Sequence, residues 1–228
     1  MKLIVIEGLD GAGKSTQITM LSDWFKQNRI GCHYLHLPRT DAPYFGELVA
    51  RFLRGEFGSI DQVDPYLVAM LYAGDRKDAS EMISAWLNNG DYVVLDRYTY
   101  SNIAYQCAKL KSRDEAIKLR EWILNLEFVH FGIPRPDINI FLDVPFHFTE
   151  KKLTTVRHGE DRSYLLGSRD IHESSLEFQS RVRETYLSVA ETDEKLQVIN
   201  CSDISEGMLP PKEIFKLVMG KLKEKMIL

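Results

Sequence analysis

The chain has 228 residues, a net charge of −4 and an apolar fraction of 44%, enough to bury one sizeable core, so we expect a single domain over 1–228. Its charges are intermixed, which argues against nucleic-acid partners and a polybasic membrane binder. Three widely spaced cysteines without a C-x-x-C pair indicate neither a disulfide framework nor a zinc site, and the expected location is a reducing cytoplasm. No apolar stretch approaches the roughly 20 residues that cross a bilayer.

Short apolar strands alternate with longer amphipathic helical patterns along the chain. Strands are predicted near 2–6, 32–37, 91–95, 137–143 and 195–199. The alternation predicts an α/β fold with a doubly wound, five-stranded parallel sheet flanked by helices. In such sheets a ligand binds beyond the carboxyl ends of the strands, so the residues that follow each strand are the first candidates for a site.

The first predicted strand leads directly into a complete phosphate-binding loop of the form G-x-x-x-x-G-K-[ST]. The loop consists of Gly8, Leu9, Asp10, Gly11, Ala12, Gly13, Lys14, Ser15 and Thr16. Its glycines let the backbone wrap closely, so that successive N–H groups point at the phosphates of a nucleoside triphosphate. The helix that begins near Lys14 adds its positive N-terminal end, the Lys14 ammonium lies near the outer phosphates, and the Ser15 hydroxyl can ligate Mg²⁺.

A second motif follows the third predicted strand. Asp96 stands at the tip of this strand, where a Walker-B acid holds Mg²⁺ or its water shell. The next residue, Arg97, faces the same cleft and can clamp phosphates from two nucleotides as the transferred group moves. A helix N-cap aspartate beside a surface arginine would look the same in isolation. After a buried-type strand, in a chain with an intact phosphate-binding loop, the functional interpretation is favoured.

The order and spacing of these motifs resemble the thymidylate kinase family over almost the whole chain. The matching segments are Glu7–Thr16, Asp96–Tyr98, Ser101–Tyr105 and Pro134–Asp137. The most specific elements are the acidic loop position Asp10 and the Asp-Arg-Tyr segment with its trailing Ser-Asn-x-Ala-Tyr. The resemblance implies a P-loop kinase fold with a mobile lid, and transfer of the γ-phosphoryl group of ATP to thymidine monophosphate (dTMP) with Mg²⁺.

The resemblance also implies where the acceptor nucleotide binds. Arg39 and Arg97 match arginines that grip its phosphate, and two guanidinium forks suit a dianion. Tyr72 matches an aromatic ring that stacks on thymine. Arg76, four residues later on the same predicted helix face, matches an arginine that hydrogen-bonds a carbonyl of the base.

The resemblance assigns Ser101, Asn102 and Tyr105 of the Ser-Asn-x-Ala-Tyr segment to the same acceptor site. Asn102 would contact the pyrimidine edge, and Tyr105 would lie against the face of the sugar where a ribose 2′-OH would sit. That position of Tyr105 predicts a preference for deoxyribose. Asp10 is expected to meet the sugar hydroxyl and to arrange the neighbouring arginine, although it could also approach Mg²⁺ or counterbalance Lys14.

Because position 11 is glycine, the resemblance implies that the catalytic arginine comes from the lid, a segment at about 154–172. The charged residues considered there and at its flank are Arg157, Arg162, Arg169, Asp170 and Glu173. Arg157 and Arg162 are the catalytic candidates, and the two acids are expected near the nucleotide. An arginine that closes over the triphosphate excludes water and stabilises the transition state only when both substrates are bound.

An acceptor phosphate is already ionised at neutral pH, so this reaction needs no strong general base. Structural or surface positions are therefore expected for all six histidines. Family members are homodimers, and the apolar helical patterns at Leu67–Leu71 and Ile103–Ala108 are candidate pairing faces. A helix face buried within one chain would show the same pattern.

Other functions make different demands on the sequence. A deoxynucleoside kinase needs a carboxylate base and less positive charge at the acceptor, whereas Arg39 and Arg97 favour a monophosphate. A uridylate-type kinase would differ in its acceptor profile. A GTPase switch would carry an N-K-x-D guanine reader, and no such tetrapeptide occurs in this chain. A catalytically dead binding module would be expected to have lost Lys14 or Arg97.

Overall fold

The computed structural model describes residues 2–149, 164–166, 170–172, 175–205 and 207–228. The strands are β1 Leu3–Glu7, β2 Cys32–His36, β3 Tyr92–Asp96, β4 Ile138–Asp143 and β5 Leu196–Asn200. The helices are α1 Lys14–Gln27, α2 Phe45–Leu53, α3 Pro65–Asn88, α4 Thr99–Cys107, α5 Arg113–Asn125, α6 Leu176–Thr192 and α7 Pro211–Glu224, with a π-helical segment Leu126–His130 after α5. Within these ranges, no helix has the length and apolar character needed to cross a bilayer.

The five strands form one parallel sheet in the order β2-β3-β1-β4-β5. The central strand β1 pairs with β3 on one side and with β4 on the other, so that Ile4 lies opposite both Val94 and Ile138. The predicted fold class is confirmed, and each predicted strand boundary lies within one residue of the observed one. The connection from β1 runs to β2 on one side, whereas the connection from β3 crosses β1 to reach β4 on the other side. A crevice opens at the carboxyl end of the sheet centre, where the connections change direction.

Both faces of the sheet are covered, which explains why the strands read as continuous apolar runs. Alternate residues of β1 face opposite layers because side chains in a strand alternate in direction. Ile4 and Ile6 pack with α1 and α7. Leu3 and Val5 pack with the buried side of α3. A third cluster joins α4, α5 and α6 around Phe141.

Two backbone turns direct the loops toward the crevice. Gly13 adopts a left-handed conformation (φ 81°) as the N-cap of α1, and it brings no capping side chain to the first turn of that helix. The first N–H groups of α1 therefore have no capping side chain and are available to bind an anion. Arg97, immediately after β3, also has a positive φ of 68°. This backbone conformation is costly for a non-glycine residue and tends to occur at functional sites.

Of the two candidate pairing faces, one is buried within the chain and the other is exposed to solvent. Ile103 and Ala108 are buried within the chain, because α4 packs against α3, α5 and α6. That part of the dimer expectation is wrong, since a buried amphipathic helix and an interface helix share one sequence pattern. Leu67 and Met70 on α3 are 56% and 42% exposed, so this face is open to solvent in the single chain.

Candidate active site

A cavity of about 1260 Å³ opens at the carboxyl ends of the central strands. One wall is the phosphate-binding loop together with the start of α1, and the opposite wall is built from α3 and α4. The cavity brings together most of the residues that the sequence singled out. They are Asp10, Gly11, Gly13, Lys14, Ser15, Thr16, Arg39, Tyr72, Arg76, Asp96, Arg97, Ser101, Asn102, Tyr105 and Asp170.

Lys14 lies folded over its own loop. Its Nζ donates to the carbonyl oxygens of Gly8 and Leu9 at 3.3 and 3.2 Å and lies 4.0 Å from Asp96 Oδ1. Burial lowers the pKa of Lys14, as does the nearby Arg97 guanidinium, and the Asp96 carboxylate opposes both effects. The ammonium is thus held where it can move from its own backbone carbonyls to the phosphate of a nucleotide.

Asp96 offers a buried oxygen that fits a cation. Its Oδ2 lies 3.3 Å from His36 Nδ1, whereas Oδ1 has no hydrogen-bond donor in the described part of the chain. Burial would raise the pKa of Asp96, but the Lys14 charge and the His36 contact outweigh it and hold this pKa below its usual value. A carboxylate oxygen of this kind suits the oxygen preference of Mg²⁺, and Ser15 lines the same cavity.

Arg97 connects the two walls of the cavity. Its Nη2 donates to Asp10 Oδ1 at 2.7 Å, and its Nη1 donates to Ser101 Oγ at 3.2 Å. The Tyr105 hydroxyl donates to Asp10 Oδ2 at 2.9 Å, and the Arg97 guanidinium lies 5.3 Å from the centre of the Tyr105 ring. Burial alone would raise the pKa of Asp10, but Arg97 and Lys14 outweigh it and hold this pKa well below its usual value. The predicted pairing of Asp10 with the neighbouring arginine is present.

Glu7 supports this network from the end of β1, and no role was predicted for it. The carboxylate is fully buried at the end of β1. It accepts hydrogen bonds from the Tyr98 backbone N–H, from the Ser101 N–H and hydroxyl, and from the Tyr186 hydroxyl. Burial raises the pKa of Glu7 despite these donors. Ser101 therefore supports Arg97 from within the protein while lining the cavity.

Arg39 reaches the cavity from the loop after β2. Its Nε donates to Asp75 Oδ1 at 2.9 Å, and its Nη2 donates to the Asp75 carbonyl oxygen at 3.0 Å. Asp75 also accepts the backbone N–H of Arg39, so the carboxylate fixes both the loop and the side chain. Sequence reasoning missed Asp75, although it lies one residue before Arg76 on α3.

The cavity wall formed by α3 and α4 is held by a carboxylate that the sequence did not single out. Arg76 Nε and Nη2 donate to the two oxygens of Glu127, each at 2.6 Å, and both side chains are buried. Asn102 Nδ2 donates to Glu127 Oε1 and to the Ala69 carbonyl oxygen, both at 3.0 Å. Arg76 and Tyr72 share one face of α3, as their spacing predicts.

Gln106 and His172 line the cavity as well, and neither was predicted to do so. Among the described residues, no hydrogen-bond partner reaches either amide atom of Gln106 or Nε2 of His172. The His172 ring packs 4.8 Å from the Tyr105 ring, and burial lowers its pKa well below the usual value. His36 also reaches the cavity, so two of the five histidines within the described residues lie at the site. Nothing in the spacing of these two histidines relative to the motifs predicts that they line the cavity.

Only part of the predicted lid segment lies within the described residues. Arg157, Arg162, Arg169 and Glu173 lie outside the described residues. Asp170 lies in the cavity wall, where its carboxylate accepts hydrogen bonds from the Tyr164 hydroxyl and the His172 N–H, each at 2.8 Å. Its negative charge raises the pKa of Tyr72, although burial is the larger cause. Asp170 therefore stands beside the expected base-stacking residue.

Comparison with known proteins places the chain in a family. A family model described as thymidylate kinase matches residues 6–207. A probable thymidylate kinase of Thermococcus onnurineus is 35% identical over 86% of this chain and 88% of its own length. The thymidylate kinase of Mycobacterium tuberculosis is 33% identical over 82% of this chain and 85% of its own.

A solved structure has the same fold. It is that of thymidylate kinase from Candida albicans, which matches with a TM-score of 0.72 over 99% of this chain and 92% of that chain. The sequence identity is 24%, so this likeness speaks for the fold alone. The family model and the relatives at 33–35% identity together show that the chain belongs to the thymidylate kinase family.

Proposed function

We propose that this protein is a nucleoside monophosphate kinase that converts dTMP and ATP to thymidine diphosphate and ADP. The observation that carries the proposal is the Arg97 network, in which one guanidinium bonds Asp10 of the donor loop and packs over Tyr105 of the opposite wall. A single cavity thereby holds an ATP-type phosphate loop and a second, aromatic wall. Two substrates with adjacent phosphates fit this arrangement.

On the donor side, the loop amides and the first turn of α1 surround the β- and γ-phosphates, and Lys14 supplies a point charge. Ser15 and Asp96 would hold Mg²⁺, which neutralises phosphate charge when it is bound. We assign the remaining loop residues, from Gly8 to Thr16, to ATP binding. The lid arginines Arg157 and Arg162 remain the proposed source of the additional positive charge.

On the acceptor side, Arg39 and Arg97 would bind the phosphate of dTMP, and Ser101 would hold Arg97 in place. Tyr72 would stack on the base, since its ring lines the cavity. Asp10 would accept a hydrogen bond from the sugar hydroxyl. Tyr105, locked against Asp10, would fill the space beside the sugar that a ribose 2′-OH requires.

The base edge would meet Asn102 and Arg76. Asn102 Oδ1 is buried and has no donor within the described residues, so it is available to the N3–H of thymine. Glu127 takes only part of the Arg76 guanidinium, which leaves N–H groups for a base carbonyl. Gln106 lies in the same wall and adds an unpaired amide.

Transfer itself needs little covalent assistance from side chains. An oxygen of the ionised acceptor phosphate attacks the γ-phosphorus while the bond to the bridging oxygen of ADP breaks. Lys14 and Arg97 stabilise the charge on the oxygens around the transferred group, and they do so in a buried site where electrostatic interactions are strong.

We also propose that the chain is one domain that acts as a cytoplasmic homodimer without nucleic-acid or membrane partners. The exposed apolar face of α3 around Leu67 supports pairing. The intermixed charges support the absence of a polyanion partner. The three cysteines are all free, in keeping with a reducing compartment.

The proposal is tested by a coupled ADP-release assay with ATP and Mg²⁺ and four acceptors, namely thymidine, dTMP, dUMP and UMP. We expect the fastest turnover with dTMP, and dUMP weaker by about 10–200-fold, the discrimination that one methyl group provides. UMP should be poorer than dUMP, and thymidine should be inert. The Lys14→Met variant, prepared identically, controls for contaminating kinases. Turnover of thymidine would indicate a nucleoside kinase instead. No ADP release with any of the four acceptors would contradict the proposal.

A further inference from the structure

Glu127 stands at the centre of a buried cluster of hydrogen-bond donors. It lies in the π-helical segment Leu126–His130 and is the one buried residue of that segment. Its carboxylate accepts bonds from Arg76 Nε and Nη2, from Thr99 Oγ1 and from Asn102 Nδ2. π-Helical turns occur frequently at functional sites, and this one directs an acid toward the wall that faces the acceptor base.

The cluster fixes the direction of the Asn102 amide. An amide has one accepting oxygen and one donating nitrogen, and either end can face a given neighbour. Here both atoms that contact Nδ2, the Glu127 carboxylate and the Ala69 carbonyl oxygen, can only accept. The nitrogen must therefore face Glu127, and Oδ1 must face away from it. Asn102 lines the cavity, and the atom of its amide that lacks a partner among the described residues is therefore the oxygen, which is an acceptor.

Glu127 also fixes the Arg76 guanidinium. Two parallel bonds of 2.6 Å hold the guanidinium plane in one orientation. Arg76 lines the cavity, and because an arginine has donors only, whatever part of it a ligand meets there is a donor. The base wall therefore offers one acceptor and one set of donors in fixed positions, and a single carboxylate sets both.

We propose that Glu127 is a positioning residue that sets the hydrogen-bond polarity of the acceptor site. With this polarity the site accepts a base that carries a ring N–H beside a carbonyl oxygen, as uracil and thymine do. It rejects cytosine, whose ring nitrogen accepts and whose exocyclic amine donates, because like groups would then face each other. The inference rests on the proposed function, since it deepens the assignment of the acceptor site.

The test compares dUMP with dCMP, two acceptors that differ only at the base edge. For the wild-type protein we expect dUMP to bind at least about a hundredfold more tightly than dCMP, because mismatched buried polar groups are costly. Dissociation constants are measured by calorimetry and kcat/KM by the coupled assay. The binding arm reports on the inference even if catalysis fails, so a protein that binds dUMP selectively but does not turn it over contradicts the proposed function alone.

The informative variant is Glu127→Gln, which keeps the shape but replaces one accepting oxygen with a donating NH₂. Wherever that NH₂ lies, it faces an N–H of Arg76. We expect the preference for dUMP over dCMP to fall at least about tenfold, mainly through weaker dUMP binding. The control is Thr99→Val, which removes a bond to the same carboxylate without touching Asn102 or Arg76 and should leave the preference within about threefold.

A purely structural role for Glu127 would weaken both nucleotides equally, so an unchanged preference in folded Glu127→Gln would overturn the inference. If that variant does not fold, Glu127→Asp keeps the carboxylate but moves it back by one methylene, so that it no longer holds Arg76 and Asn102 in their fixed positions. We expect its preference for dUMP to fall as well. A preference retained there would overturn the inference, as would a wild-type protein that binds neither nucleotide or both equally.

Discussion

At the scale of single residues, Arg97 is the side chain on which the two substrates would converge. Its positive φ places the guanidinium over the cavity, and Asp10, Ser101 and Tyr105 hold it there. A flexible arginine would have to be ordered during each turnover, whereas this one is ordered before substrate arrives.

Replacement of Arg97 by alanine should lower kcat by about 10²–10³-fold, the usual effect of removing one donor that stabilises a developing charge. The fold should persist, since the Glu7 bonds to Tyr98 and Ser101 do not involve Arg97. Steady-state kinetics and thermal melting measure the two effects. Arg120→Ala is the control, because Arg120 pairs with Asp193 outside the cavity and should leave kcat unchanged. Unchanged turnover in folded Arg97→Ala would remove Arg97 from the mechanism.

Lys109 gives a pH-dependent prediction. Burial lowers the pKa of this ammonium to about 7, against the charges of Asp61 and Asp64 that raise it. Its unfolded pKa is about 10.4, so between these values the unfolded chain holds a proton that the folded chain lacks. Stability should therefore rise with pH across this window, because the cost of burying the charge is present in full below about pH 7.

The variant Lys109→Met lacks this titration. Its stability advantage over wild type should be largest below about pH 7 and should shrink by roughly 1–3 kcal/mol between pH 7 and pH 10. Urea unfolding of both proteins at the two pH values gives the difference, in which other titrating groups cancel. A difference that does not change with pH would show that the Lys109 ammonium is solvated in the folded protein.

At the scale of helices and strands, the contact between α2 and α3 positions the acceptor wall. Gly74 on α3 lies against the Phe45 ring at the start of α2, and an added Cβ would lie 2.4 Å from two ring carbons. The same stretch of α3 carries Tyr72 and Arg76. A close helix contact at glycine therefore sets where both side chains stand.

Gly74→Ala should destabilise the protein by about 1–3 kcal/mol, the usual cost of overpacking, and should raise the KM for dTMP. Gly220→Ala is a matched control, since Gly220 is also helical and nothing lies within 4 Å of an added Cβ. That control should be stabilised by about 0.5–1 kcal/mol through helix propensity. Denaturant titration and acceptor kinetics on both variants are required. If Gly74→Ala and Gly220→Ala had the same stability and the same KM for dTMP, the close contact between Gly74 and Phe45 would not position the acceptor wall.

The elements were more predictable than the site. Hydrophobic periodicity and the phosphate-binding loop suffice for the sheet, because each depends on residues close together in sequence. Glu127 and Asp75 could not be predicted, since each contacts an arginine through tertiary packing. The burial of Ile103 likewise depends on which helices cover α4.

At the scale of the whole molecule, the exposed face of α3 predicts association. Tyr66, Leu67 and Met70 are each at least 36% exposed on this one helix. Light scattering should give a mass of about twice the 26.3 kDa of the chain. The double variant Leu67→Glu/Met70→Glu should give the monomer mass, because like charges would meet at the interface.

The matched control for association is Leu217→Glu on α7, on the opposite side of the sheet, where Leu217 is 44% exposed. This variant should remain a dimer. A wild-type protein that stays monomeric at micromolar concentration, or a Leu67→Glu/Met70→Glu variant with unchanged mass, would contradict the assignment of α3 as the pairing face.

We expect this one cavity to transfer a phosphoryl group between two nucleotides. The most direct measurement uses ATP labelled with ³²P at the γ-position, Mg²⁺ and dTMP, with separation of the products by chromatography. Such a transfer predicts that label appears in thymidine diphosphate in step with ADP formation, and that Lys14→Met abolishes both. Label released as inorganic phosphate in the presence of dTMP would contradict it, since the cavity would then deliver the γ-phosphoryl group to water.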